Sequence, residues 1–569
     1  MNCLRSRGTC GGYFIPPRKN QRKQPTLGDL LQRRQAYGQG TMSPLPSEPA
    51  MNSLDFNNDF EYTYFEEWKR LCQGALYGAS GTRLWAVWMP QLTRHNRALR
   101  HAALGIAAMN MALSNGGIYS PDPHHANAIA YYCHALHLQA QAEQEATATR
   151  DLLLISILFT AFEALRGHRR PAFRHVRCGF AVLENLLAAD LASTKRLQAV
   201  PEPGEFIGEI LGTYSYFSFQ VQNVIEARPD CVLLASQNLV RRLKHKGHTI
   251  DSLGMKYLLP QSEPWRRPFT VFDTIEEARK HWAAMERRIT GHGALLVSAI
   301  ETVSTVDAND TEAVDRVFDA IENRPELLAF VYDSQEQIRR WSEAFEALFI
   351  RIMTAPHLDK SQIFQVLDMK VECVARRLYS LFPKHSDYDT VASLTPVFQE
   401  LDALCKILIQ QQQQCGDPKR RSSKFTMHST VMWHLLFIAL NCRDITVRER
   451  AIGTLGACSR RDCFWDSSAF LAIAQRNRDI ESENTQDGTP AQQWRRLCRR
   501  VFLFEECIDT ETGVTLVLRA MRLSSHSSTW EYTEEFAPLD GSADVVWRRR
   551  LVGSKSLVLQ WGRTSSLIR

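Results

Sequence analysis

Residues 151–165 read DLLLISILFTAFEAL, and this stretch decides the fold class. Apolar side chains fall on almost every face of a helix drawn through it, and a helix that is apolar all round is covered by protein on all sides. Gly167 stands just past its end, where a left-handed cap is common. Pro171 then opens another helix running through Phe180 to Leu187. Working outward, His95–Ser114 is rich in Ala, Leu and Met, with Leu99, Ala103, Ile106 and Met109 at helical spacing. Pro121 and Pro123 precede a helix from about His125 to Glu145. A further helix is expected over Glu205–Val224.

The C-terminal direction continues the pattern. Thr274 and Glu277 make a capping box ahead of an amphipathic helix carrying Trp282 and Met285. Helical segments follow at about Glu326–Ile352, Ser361–Phe382, Thr390–Gln412, His428–Asn441, Val447–Leu455 and Ser467–Gln475. Arg476–Pro490 is polar and reads as disordered. Val501–Phe504 and Thr515–Leu518 read as short strands either side of a turn at Asp509–Gly513, and the final thirty residues carry no clear pattern. The expected fold class is therefore mainly α. A large multi-helix domain over 56–476 follows a disordered, Pro-rich basic linker over 13–55, and residues 477–569 form a small mixed appendage with short strands.

Charge separates the ends. Residues 1–50 hold eight Lys and Arg against Asp29 and Glu48, so the head accounts for the whole formal net charge of +6. A basic head on a neutral body points to a polyanion partner or a nuclear-import segment. Apolar residues make up 44% of the 569, enough for a large buried core. Twelve of the fourteen cysteines lie between Cys72 and Cys507 with no C-x-x-C pair among them, the usage of a reducing compartment. The two most apolar runs, Leu152–Phe162 and Val431–Leu440, are shorter than the roughly 18 residues of a membrane span. No signal peptide opens the chain. Phosphate-binding loops, dinucleotide fingerprints, G-x-S-x-G and H-E-x-x-H are absent from the sequence, so no enzyme is expected. His134-x-x-His137 with Cys133 has helical ligand spacing, yet nothing nearby in sequence supplies a third ligand, and ordinary helix histidines are the favoured reading.

The first twelve residues, MNCLRSRGTCGG, space Cys3 and Cys10 by six residues with Arg5 and Arg7 between them. Three body segments stand beside them: RALRHAALGIAAMN (Arg97–Asn110) with YYCHALHLQAQ (Tyr131–Gln141), LLISILFTAFEALRGHRRPAFRHVRCGFAVLENL (Leu153–Leu186), and LLFIALNCRDITVRERAIGTLGACSRRDCFWDS (Leu435–Ser467). In this shared order they resemble the fungal zinc-cluster (Zn2Cys6-type) transcription factors. Residues 1–12 match the end of the DNA-binding cluster and 56–476 the helical regulatory domain. One departure is Cys463-Phe464, where the family has Glu-Gly before the Trp.

The resemblance implies a nuclear regulator of RNA polymerase II genes that works with the transcription machinery or co-regulators. It allows a homodimer, although the linker lacks the sustained heptads of a dimerising coiled coil. By resemblance Cys3 and Cys10 are zinc ligands and Arg5, Arg7, Arg18 and Lys19 touch DNA phosphates, and as a basic run Arg18, Lys19, Arg22 and Lys23 are read as a nuclear-import signal. Two cysteines do not close a four-coordinate structural zinc site. Zinc is therefore expected only if upstream cysteines exist, and the chain as written is expected to lack specific DNA binding. The alternative is a headless interaction protein or co-regulator acting through the helical domain without DNA. In the body, Arg166, Arg170, Arg174 and Arg177 are read as a helix face or acid partners, and Trp465 and Asp466 as the packing and cap of a helix junction.

Overall fold

The computed structural model describes residues between Phe56 and Leu551, apart from 57, 74–75, 77–82, 116–121, 142–147, 189–205, 207–208, 211, 215, 218–219, 221–270, 292–309, 356–359, 382–386, 415–424, 428–429, 459, 484–487, 501–503, 511–512, 524–528 and 540–544. The chain divides into two units between Asp55 and Phe56. All the described residues lie in the second.

That unit is mainly helical, as the patterning predicts. Its N-terminal half comprises α1 (Asp59–Gln73), a π-helical turn (Leu84–Trp88), α2 (Met89–His95), α3 (Arg97–Asn115), α4 (Pro123–Gln141), α5 (Ala148–Arg166) and α6 (Arg169–Ala188). Its C-terminal half comprises α7 (Ile275–Gly291), α8 (Thr311–Glu322), α9 (Pro325–Met353), α10 (Lys360–Tyr379), α11 (Tyr388–Ser393) and α12 (Thr395–Gln414). After these come β1 (Phe425–Thr426), α13 (Val431–Asn441), α14 (Ile445–Ala457), β2 (Arg461–Asp462), β3 (Trp465–Asp466), α15 (Ser467–Glu483) and α16 (Pro490–Arg500). Strands β4 (Phe504–Thr510), β5 (Gly513–Leu523), β6 (Trp530–Leu539) and β7 (Arg548–Leu551) close the order.

α5 is the covered helix its sequence demands: every residue from Leu153 to Leu165 is buried. α3 packs on one side of it and supplies Leu99, Ala103, Ile106 and Met109, all at 1% exposure or less. The small residues of α3 set how close its neighbour comes. A Cβ on Gly105 would sit 3.3 Å from the Ala128 carbonyl oxygen and 3.4 Å from the Tyr132 nitrogen of α4, so glycine lets the two backbones approach. Tyr132 then stacks on Phe162 of α5, ring centroids 4.2 Å apart. Gly179 on α6 is required for a different reason. Its missing side chain leaves the space taken by the Tyr214 ring, whose Cε1 would lie 2.6 Å from a Cβ there.

A second cluster forms around Trp341 of α9, which packs on Trp282 of α7 at 4.7 Å and donates its indole N–H to the Ala278 carbonyl at 3.1 Å. The capping box at the start of α7 is made. The Glu277 N–H reaches Thr274 Oγ1 at 3.2 Å, and the Glu277 carboxylate accepts from the Asp273 N–H at 3.1 Å. The single helix expected over Thr390–Gln412 is instead two, broken at Leu394. Pro396 cannot donate to the preceding turn and its ring excludes a continuous helix there.

Two expectations for the C-terminal end are corrected. The stretch expected to be disordered from Arg476 is helical to Glu483, so the helical part runs past the boundary at 476. Its polar sequence misled because its inward face meets charges. Glu481 pairs with Arg448 at 2.9 Å, and Arg476 donates to the buried Glu535 at 2.5 and 3.0 Å. The appendage is a meander of four antiparallel strands in the order β4-β5-β6-β7. β5 spans eleven residues, longer than the strand expected at Thr515–Leu518, and β6 and β7 were not expected.

Candidate functional site

The residues carrying the expected head chemistry lie outside the described residues: Cys3, Cys10, Arg5, Arg7, Arg18, Lys19, Arg22 and Lys23. The three body segments are described, and they meet. The first two pack through α3, α4, α5 and α6. The third reaches them through the hairpin at its end.

That hairpin is small and heavily tied. β2 pairs antiparallel with β3 and parallel with β1, with Asp462 opposite both Trp465 and Thr426. Cys463 takes a positive φ of 51° in the turn, a left-handed conformation uncommon for a residue with a side chain. Its N–H donates to the Thr426 carbonyl at 2.8 Å. Phe464 projects into the aromatic space between Phe173 and Phe217, at 5.0 and 5.9 Å. Trp465 stacks on Trp433 of α13 at 5.2 Å. Asp466 accepts from the Ser468 N–H at 2.9 Å and pairs with Arg461 at 2.9 Å, so the expected cap and packing roles both occur.

Side chains from the N-terminal half clasp the hairpin backbone. Arg169 donates to the Phe464 carbonyl at 3.0 Å, and Gln220 both donates to the Asp462 carbonyl and accepts from the Phe464 N–H. In return Arg461 reaches the Ala164 carbonyl at the end of α5, beside Gly167 at φ +83°. Chain segments nearly 300 residues apart are thus joined by side-chain hydrogen bonds to backbone carbonyls on both sides.

Beside the hairpin lies a polar junction within the core. Asp462 is fully buried and its Oδ1 accepts from Arg460 Nε at 2.6 Å and from the Thr426 hydroxyl at 2.5 Å. On α10, Glu372 faces His434 Nε2 at 3.1 Å and accepts from the Thr430 hydroxyl. Burial alone would raise the Glu372 carboxyl. His434, Arg376 and Thr430 outweigh it and hold it down at about 2. The other ring nitrogen of His434 meets the Tyr379 hydroxyl, whose own ionisation burial pushes far up.

One turn earlier on α10, Asp368 is 4% exposed, and its Oδ2 has no hydrogen-bond partner. Burial, then the like charges of Glu372 and Asp462, push its carboxyl well up, with Arg279 and Arg460 opposing.

The histidines resolve simply. His134 of α4 packs edge-to-face on His101 of α3 at 4.4 Å, and His124, in the first turn of α4, bonds the Tyr64 hydroxyl at 2.8 Å. No group of three or more His, Cys, Asp or Glu is placed to hold a metal among the described residues. On α6, Arg170, Arg174 and Arg177 are exposed, and Arg166 pairs with Glu163 at 3.2 Å. No described helix is long and apolar enough to cross a membrane.

Sequence reasoning missed the polar junction because its members are spread over α7, α10, α13 and the hairpin, far apart in the chain. The one signal was His434 within the apolar run Val431–Leu440. No family model, no curated protein and no solved structure matches the chain.

Proposed function

We propose that this chain is a transcription regulator of the fungal zinc-cluster type, acting in the nucleus on genes read by RNA polymerase II. The helical body would set its activity. One observation supports the reading: the segments that carry the resemblance, Arg97–Asn110 with Tyr131–Gln141, Leu153–Leu186 and Leu435–Ser467, meet in one core through Tyr132, Phe162, Phe173 and Phe464. Segments resembling a regulatory domain in shared order are expected to pack together if they form that domain. The basic, cysteine-bearing head adds the polyanion-directed charge such a regulator needs.

The test tethers the full chain to an unrelated DNA-binding module at a reporter promoter. A change in reporter transcription relative to the module alone is the expected result, and no change in either direction sinks the reading. A separate measurement addresses the head: zinc per purified chain, with gel shifts at moderate salt. With Cys3 and Cys10 as the only head ligands, zinc is expected below stoichiometry and DNA binding weak and salt-sensitive.

A further inference from the structure

The structure points to Asp368. We propose that it is a proton-binding site that locks α10 to the hairpin 461–466: the lock is closed when the carboxyl carries a proton and loosens when it is lost. The inference is independent of the regulatory function proposed above.

The geometry carries it. Three buried carboxyls share one junction, and donors are assigned to only two of them. Glu372 has His434 and Thr430, and Asp462 has Arg460 and Thr426. Asp368 is as buried as they are, and while the Oδ2 of Asp462 is also without a partner, Asp462 has two donors on its Oδ1 and Asp368 has no assigned donor. An ionised carboxylate in that position would be desolvated and would face two further negative charges. A neutral carboxylic acid avoids both costs.

The titratable and charged groups around it are Glu372 on its own helix, Arg279 on α7, Cys405 on α12, and Arg460 and Asp462 at the hairpin. The acids and arginines near Asp368 oppose one another, so burial is left to decide its state. One proton moves from solvent to the Asp368 carboxylate as the junction closes and returns to solvent as it opens.

The sign follows from linkage. A carboxyl whose folded value is raised stabilises the fold fully below its unfolded value, and that stability is lost as pH rises through the folded value. Glu372 behaves oppositely, its contribution disappearing as pH falls towards about 2. The buried thiols of Cys373 and Cys405 are raised by burial and share the sign of Asp368, so the difference between wild type and a variant that cannot ionise at 368 is what reports it.

The experiment follows the denaturant midpoint of the full chain across acid to mildly alkaline pH, for wild type, Asp368→Asn, Asp462→Asn and the double variant. Asparagine is a neutral isostere that cannot ionise. The wild-type midpoint is expected to fall with rising pH relative to Asp368→Asn, and wild type to release about one more proton on unfolding than the variant in that window. The gain from Asp368→Asn is expected to shrink in the Asp462→Asn background, because the two carboxyls repel. Parallel pH profiles with equal proton release overturn the proposal, and strict additivity overturns the link to the hairpin. If the variants do not fold, wild type labelled with 13C-carboxyl aspartate decides it near neutral pH. A label-shifted infrared C=O band of a protonated buried carboxyl is expected, and its absence overturns the proposal.

Discussion

The two halves of the body are held together by different physics. Around α3 to α6 the contacts are shape: glycines at 105 and 179 admit a backbone and a tyrosine ring, and Tyr132 lies flat on Phe162. Around α10, α13 and the hairpin the contacts are charge: Asp462, Glu372 and His434 are all under 10% exposed, each with a partner supplied by another element or a neighbouring turn. Apolar packing is non-directional and tolerates change by degrees. Buried charges fail abruptly, because removing one partner strands the other out of water. The first half should therefore lose stability in proportion to volume, and the second in steps set by charge.

The largest expected effect tests the second half. Asp462→Ala leaves Arg460 and the Thr426 hydroxyl without their shared acceptor and unties β2 from β1. Loss of one member of such a pair costs about 3–5 kcal/mol, which chemical unfolding of the full chain would read as a large fall in midpoint. A loss below about 1 kcal/mol, the level of a surface pair, would erase the contrast between the halves.

A smaller effect is expected from Gly179→Ala in the first half. The new methyl must displace the Tyr214 ring, and overpacking of this kind costs about 1–3 kcal/mol. Pairing it with Tyr214→Leu should recover part of the loss, since residues in contact couple by about 0.5–3 kcal/mol in a double-mutant cycle. Additive losses would place the strain elsewhere.

The smallest effect sharpens the comparison with pH. In the first half, burial and then the neighbouring His134 hold the His101 ring down at about 4. A histidine whose folded value is depressed stabilises the fold above its unfolded value near 6.5, and that stability is lost as pH falls towards 4. His101→Gln should flatten this acid-side loss without altering the alkaline side, as thermal midpoints across the acid range would record. Unchanged acid sensitivity in the variant would mean that His101 contributes nothing to it and would leave His175 on α6 as the histidine to test.

Legibility in the sequence follows the same division. α5 was readable because an all-apolar run has one stable placement, and the expected α6 ends within a residue of Ala188. The capping box at Thr274 and Glu277 was readable because it is local. The polar helix to Glu483 and the strands β6 and β7 were not. Their inward residues, Arg476, Glu481 and Glu535, look like solvated charges until their partners are known. Cys3, Cys10 and the basic head lie outside the described residues, so their chemistry rests on the resemblance.

By itself the sequence determined the helical class, the start of the body at Phe56, the covered helix at 151–165 and the segregation of positive charge into the head. Each is a property of composition or of a window a few turns long, where side-chain periodicity and backbone preference act directly. Only the tertiary structure decided that Arg169 and Gln220 grip a hairpin more than 240 residues away, that Asp462 finds Arg460 and Thr426, and that Asp368 is buried with its Oδ2 unpaired. The reason is physical: what a charged residue contributes depends on what lies opposite it once water is excluded, and that neighbour is chosen by the fold of the whole chain.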